Sequence, residues 1–326
     1  MNQKTILWLQ GGACGGNTLS FLNAENPDVL SFLEMNNAKL LWHPSLSIES
    51  GDKVKELLNN VISGKIHLTV FVFEGTVVLG PNGTGRYNTF ASKPMKDWVK
   101  EIARVADYVV AVGDCASFGG IPASSPNPTE STGLQFHKKE KGGFLGKDFK
   151  SVKGLPVVNI TGCPAHPTWI TSTLTLLLND KLQKEDLDEF NRPKFLYSTT
   201  TQFGCPRNIY FAYKIGLNEF GHQEGCLYFN LGCRGSYTRS PCNVILWNNQ
   251  SSKTRVGTPC FGCTEFDFPT FNFFKTEKNR SGIPKKLPLG VSRGSYTTLS
   301  AIARASAPDF LLREIKDNKR RAEWLD

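Results

Sequence analysis

The 326-residue sequence contains no apolar run approaching the ~18 residues of a membrane-spanning helix. One lysine precedes the short apolar stretch within Met1 to Gln10, too little for a signal peptide, and the first arginine is Arg86, so no twin-arginine leader stands ahead of the fold. The expectation is a soluble cytoplasmic protein without a transmembrane anchor, peripheral on the cytoplasmic face of a membrane at most. Nucleotide signatures are missing too. The glycine-rich loop GGACGGN, residues 11–17, has Ala13 where a dinucleotide fold needs its second glycine and Asn17 where a P-loop has lysine. Charge gathers at Lys138, Lys139 and Lys141, at Lys285 and Lys286, and at Lys319, Arg320 and Arg321. None of these clusters interleaves with aromatics as a nucleic-acid groove would, so no nucleic-acid partner is expected.

What is present begins with composition. Hydrophobic residues make up 40%, charged residues 21%, and mean hydropathy is −0.27, which excludes both a disordered tail and a membrane bundle. At roughly 100–200 residues per domain, the length fits two domains. A net charge of +9 and a pI of about 9.0 suit an acidic protein partner or an anionic surface. The nine cysteines are Cys14, Cys115, Cys163, Cys205, Cys226, Cys233, Cys242, Cys260 and Cys263. An odd count without an export signal argues against a disulfide framework and for metal-binding or catalytic thiolates.

The first half alternates short apolar, β-rich runs with helical spacing. Thr5–Leu9, Lys39–Trp42, Leu68–Phe73, Tyr108–Val112 and Pro156–Ile160 read as buried strands. Between them Pro27–Met35, Asp52–Ile62, Pro94–Ala106 and Pro167–Leu178 read as helices, with Pro or Asp at their starts. That alternation predicts a doubly wound parallel α/β sheet ending near residue 195. The long Gly-, Pro- and Lys-rich connection from Ser117 to Gly154 reads as a surface excursion. From about Thr199 periodicity fades until Tyr296–Arg304 and a charged helix near Asp309–Trp324. A stretch so poor in pattern, holding six of the nine cysteines, reads as organised around metal.

Cys14, Cys115 and Cys163 each fall just past the carboxyl end of a predicted strand, the edge where open α/β sheets bind ligands. Three soft thiolates there suit iron–sulfur, copper(I) or zinc. In the second half Cys260 and Cys263 form the one CxxC pair. Zinc would want two tidy pairs, and a thioredoxin-like dithiol would want a strand before and a helix after, so dispersed thiolates holding clusters fit better. A zinc-binding nucleic-acid module is the distant alternative.

The ordered motifs are ILWLQGGACGG, FEGTV around Glu74, GDCASFGG, TGCPAHP, CPR at Cys205, CLYFNLGCRG and GTPCFGC, with Cys233 and Cys242 nine apart and Cys242 and Cys260 eighteen apart. From about Ile6 to Arg304 the set resembles the small subunit of [NiFe]-hydrogenases. The resemblance implies a flavodoxin-like domain (1–195) holding a proximal cluster, then an irregular domain (196–326) holding medial and distal clusters. It implies Cys14, Cys115 and Cys163 as proximal ligands, Cys242, Cys260 and Cys263 as ligands of a medial [3Fe–4S] cluster, and Cys205, Cys226 and Cys233 as distal ligands. Two amides depart from the family pattern: Asn17 stands where a second loop cysteine is usual, and Gln202 where a histidine is usual. Either they coordinate iron through oxygen or those clusters are [3Fe–4S] rather than [4Fe–4S]. The cytoplasmic uptake group found notably in cyanobacteria shares both replacements, whereas hydrogen sensors, the runner-up, keep the CxxC loop.

The resemblance also implies a large-subunit partner carrying the Ni–Fe centre, in a heterodimer or a dimer of heterodimers. The chain has no paired L-C-x-x-C motifs to hold such a centre, so it holds no catalytic residue for H₂ cleavage and passes electrons on to an acceptor protein or quinone. Glu74 matches a family glutamate linked to proton movement, while the sequence alone equally allows a helix cap or a solvated carboxylate. His166 reads as a structural hydrogen-bonding residue at a helix start. Arg207 reads as a donor to cluster sulfur or as a solvent-facing side chain.

Overall fold

In a computed structural model, residues 3–222 and 224–312 are described; the basic residues Lys319, Arg320 and Arg321, and the expected helix from residue 313 onward, lie outside them. Five strands form one parallel sheet: β1 (Lys4–Gln10), β2 (Ala38–Trp42), β3 (Val70–Glu74), β4 (Tyr108–Val112) and β5 (Val158–Ile160). Their spatial order is β5-β4-β3-β1-β2, the order of flavodoxin-like folds. The crossovers carry α1 (Gly16–Leu22), α2 (Val29–Met35), α3 (Asp52–Ile62), α4 (Met95–Val105) and α5 (Gly113–Phe118), and α6 (Pro167–Leu178) follows the last strand.

Alternation along the strands sorts the core. Leu7, Leu9, Phe71, Phe73, Val109 and Ala111 are buried in one cluster with Val54 and Leu58 of α3 and Trp98, Val99 and Ile102 of α4. Trp8, one position out of phase with Leu7 and Leu9, stacks on Phe21 of α1 at 5.3 Å. Both faces are therefore covered, which is why these strands read as continuous apolar runs. Each large apolar side chain so buried contributes about 1.5–3 kcal/mol. Predicted and observed bounds coincide for α3 and α6, where Asp52 and Pro167 open the first turn. The short α1 and α5 follow glycine and cysteine motifs and show no apolar periodicity in the sequence.

The connection from Ser117 to Gly154 is not a surface excursion. Leu134, Gln135 and Phe136 are buried. Gln135 acts as a stitch: its Oε1 accepts from Val157 N at 2.9 Å and Asn191 Nδ2 at 3.0 Å, and its Nε2 donates to Phe149 O at 3.0 Å. The centre of this connection is buried, with Gln135 there to satisfy backbone groups, while its basic flank from Lys139 to Lys141 is exposed.

The described chain forms two compact units. One reaches Tyr197 and takes in Cys263–Pro269; the other runs from Ser198 to Gly262 and resumes at Thr270. Cys263, expected with the second domain, thus lies in the first unit. The second unit has little regular structure beyond α7 (Asn208–Ala212) and α8 (Arg293–Ala305). Its apolar cluster includes Leu217, Leu227, Tyr228, Leu231 and Tyr296 together with Cys226, Cys233 and Cys260. The thiols are part of the core itself.

Candidate functional site

Strand register brings the first three cysteines to one edge. Gln10 pairs with Glu74, Glu74 with Val112, and Val112 with Ile160, so four strands end level. Cys14 follows four residues beyond Gln10, Cys115 three beyond Val112 and Cys163 three beyond Ile160. The loops bearing them are bonded together: Asp114 N donates to Gly162 O at 2.9 Å, and Ser20 of α1 donates to Ala165 O at 2.5 Å. Glycines leave room beside the sulfurs. A Cβ on Gly16 would stand 3.2 Å from Cys14 Sγ, and one on Gly120 would stand 2.8 Å from Cys115 Sγ. Three soft donors carried to one sheet edge, with glycines leaving room beside two of the sulfurs, fit an iron–sulfur cluster.

Asn17 is 8% exposed, and its amide oxygen is already engaged, accepting from Ala165 N at 2.8 Å. The same amide packs against Gly113, whose positive φ of 84° and missing Cβ make space for it. Asn17 therefore ties the Cys14 loop to the Cys163 loop. Glu74 is not solvated: it is 0% exposed and caps α1. Its Oε1 accepts from Asn17 N at 2.9 Å and Thr18 N at 3.2 Å, and its Oε2 from Thr18 Oγ1 at 2.5 Å and Trp8 Nε1 at 3.3 Å. His166 caps α6, its Nδ1 accepting from Thr168 N at 3.1 Å, as a structural residue does.

Electrostatics at this edge are those of buried, uncompensated groups. Burial, with Asp114 beside it, pushes the Cys115 thiol up to about 12. Burial also lifts the Asp114 carboxyl well above the usual range, and neither of its oxygens has a hydrogen-bond partner among the described residues. Both groups favour their neutral forms, because burial disfavours the charged ones; a thiol that ligates metal gives up its proton. Arg192, which the sequence reading passed over, is fully buried. It pairs with Asp188 at 2.8 Å and Glu265 at 3.5 Å, donates to Thr264 O at 2.9 Å, and lies over the Phe190 and Tyr197 rings. Lys138 Nζ donates to Phe268 O at 3.1 Å. Together they fasten the segment that begins at Cys263. The sequence signal was a lone arginine four residues after an aspartate, which is ordinarily a surface pair.

In the second unit Gln202 and Cys205 share a turn, Cys205 N donating to Gln202 O at 2.9 Å. The Gln202 side chain is half-buried and makes no hydrogen bond among the described residues. Arg207 is 4% exposed and donates to the carbonyls of Thr254 (3.1 Å), Gly225 (2.9 Å) and His222 (3.0 Å), so it braces three backbone segments instead of facing solvent. Sulfur acceptors recur. Tyr228 N lies 3.5 Å from Cys226 Sγ, Cys260 N 3.3 Å from Cys233 Sγ, and Ser240 Oγ 3.1 Å from Cys242 Sγ. Burial pushes the Cys226 thiol up to about 12. Among the described residues no three His, Cys, Asp or Glu side chains converge on the span of a single metal ion.

A parallel sheet with thiolates along its carboxyl edge, joined to a cysteine-centred second unit, is the build of an iron–sulfur electron-transfer subunit. Residues 14–177 match the family model for the NADH ubiquinone oxidoreductase 20 kDa subunit, and residues 197–275 the model for the C-terminal part of the NiFe/NiFeSe hydrogenase small subunit. The F420 non-reducing hydrogenase II small subunit of Methanosarcina mazei is 33% identical over 82% of this chain and 74% of its own length. The periplasmic [NiFe] hydrogenase small subunit 1 of Nitratidesulfovibrio vulgaris is 30% identical over 82% of this chain and 80% of its own. Among solved structures, the actinobacterial-type NiFe-hydrogenase of Ralstonia eutropha superposes with a TM-score of 0.77 at 27% identity, covering 99% of this chain and 91% of that one. The chain belongs to the family of [NiFe]-hydrogenase small subunits. Such subunits carry iron–sulfur clusters and work with a large subunit that holds the Ni–Fe centre. The relatives include periplasmic and F420 non-reducing enzymes.

Proposed function

We propose that this chain relays electrons from H₂ oxidation in a cytoplasmic uptake hydrogenase, through three clusters. Cys14, Cys115 and Cys163 hold the proximal cluster, Cys242, Cys260 and Cys263 the medial, and Cys205, Cys226 and Cys233 the distal. The observation that carries the reading is the level register of β1, β4 and β5, which delivers three distant thiolates to one edge. The two amides differ in role. Asn17, its oxygen spent on Ala165 N, acts as a clamp and leaves the proximal site three thiolates; Gln202 keeps a free amide and serves as fourth distal ligand.

When bound, such clusters supply one-electron carriers. The chain's own residues hold them and tune them. Thiols give up their protons on binding and ligate as thiolates; Tyr228 N, Cys260 N and Ser240 Oγ donate toward sulfur, which favours the more negative, reduced state. Burial of Cys226, Cys233 and Cys260 keeps water away. Replacing a thiolate by a neutral amide removes negative charge and raises potential, which supports the oxidising direction. Anaerobic purification with the co-purifying large subunit, with metal, sulfide and EPR analysis, tests this. About ten irons with matching sulfide, and one nickel in the partner, are expected. Zinc without sulfide overturns the reading.

A further inference from the structure

The stretch 271–290 of the second unit carries Lys275, Lys278, Arg280, Lys285 and Lys286 against a single acid, Glu277. Three of these cations, Lys275, Lys285 and Lys286, are exposed and ring a cavity whose wall includes Cys233. Glu277 is paired with Lys285 at 3.2 Å, and the stretch keeps a formal excess of four positive charges. The rim is held in place from below. Tyr228 Oη donates to Lys286 O at 2.9 Å, Lys286 Nζ lies 5.7 Å from the Tyr237 ring, and buried Arg234 donates to Tyr237 Oη at 3.3 Å.

The cavity, about 130 Å³, is well below the ~300 Å³ at which pockets begin to enclose drug-sized ligands such as a quinone head, so its basic rim fits a macromolecular surface. Beside it Phe271 is fully exposed and Phe274 is 55% exposed. A basic rim with exposed aromatic side chains beside it suits a protein interface.

We propose that Lys275, Lys285 and Lys286 form the docking surface for a small acidic iron–sulfur protein, which takes electrons past Cys233. This rests on the distal assignment of Cys205, Cys226 and Cys233. The step transfers one electron and no proton: the small subunit is oxidised by one equivalent, the acidic carrier is reduced by one, and two carriers are consumed per H₂. Opposite charge speeds encounter and weakens with salt, because the attraction acts through solvent over about a Debye length.

The test uses the assembled enzyme with its large subunit under H₂, a small acidic ferredoxin as acceptor, and methyl viologen, which needs no docking surface, as the reference rate. For the unaltered enzyme, kcat/KM for ferredoxin falls steeply from 20 mM to 300 mM salt. The combined variant Lys275→Glu, Lys285→Glu, Lys286→Glu lowers kcat/KM at low salt at least tenfold relative to viologen and flattens the salt dependence. Lys286→Gln alone lowers it two- to threefold and serves if the triple variant does not assemble. Ferredoxin turnover that ignores these changes, or its absence while viologen and quinone-bearing vesicles are reduced, overturns the docking surface. Failure of viologen reduction together with absence of sulfide instead overturns the relay reading.

Discussion

Under the proposed ligand assignment two amides stand in place of metal-binding side chains, and the fold treats them differently. Asn17 is packed against Gly113 and bonded to Ala165 N, whereas Gln202 is half-buried with its amide unengaged. Asn17→Cys restores a thiolate and is expected to convert the proximal cluster to four irons, lowering the oxidised [3Fe–4S] EPR intensity by one spin per enzyme. Asn17→Ala leaves the spin count unchanged but frees the Ala165 N–H, loosening the loop. His43 makes a second point at this scale. It is fully buried beside Trp8 and Thr18, and burial lowers its pKa from 6.5 to about 4. Its contribution is therefore present above pH 6.5 and lost as pH falls toward 4, since the unfolded chain takes up the proton first. Denaturant unfolding of the assembled protein should show about 2 kcal/mol more loss between pH 7 and pH 5 than for His43→Gln.

At the scale of elements, the strap from Cys263 to Pro269 depends on Arg192. Arg192→Met removes the cation from buried Asp188 and the donor from Thr264 O, costing about 3 kcal/mol or more. The medial EPR signal should weaken in step, because Cys263 loses its anchor. Adding Asp188→Leu should recover most of the stability but not the signal, separating charge burial from ligand positioning. Helices and strands with strong apolar patterning, α3, α4, α6, β1 and β4, were legible because burial on a fixed face imposes a period. The Ser117–Gly154 connection was misread for the opposite reason: its interior residues are polar, and Gln135 is buried by the backbone groups it satisfies, which no period reveals. Arg192 was passed over because its pairing with Asp188 four residues away reads as a surface pair while Glu265 lies far along the chain, and Asp114 because it has no hydrogen-bond partner among the described residues.

For the whole molecule, the two units should answer differently to loss of metal. The first has a sheet buried on both faces that needs no cluster to be stable. The second places Cys226, Cys233 and Cys260 inside a small apolar cluster with few helices, so ligation supplies much of its folding energy. Chelation with mild oxidation of the assembled enzyme should raise amide exchange across 198–262 by orders of magnitude while β1, β3 and β4 stay protected. Equal loss of protection in both would contradict a cluster-nucleated second unit.

The sequence by itself determined the alternating α/β order, the placement of Cys14, Cys115 and Cys163 just beyond strands, and a second region too poor in pattern to fold without another organiser. Each of these is local information: hydrophobic period, capping residues and cysteine spacing. Only the tertiary structure decided that Glu74 caps a helix in the core, that Asn17 is a clamp, that Arg207 braces backbone, and that Arg192 secures the Cys263 segment. Those roles depend on which donors and acceptors meet across separations of up to 148 residues of chain, and hydrogen-bond geometry at such separations is fixed by packing, not by sequence neighbours.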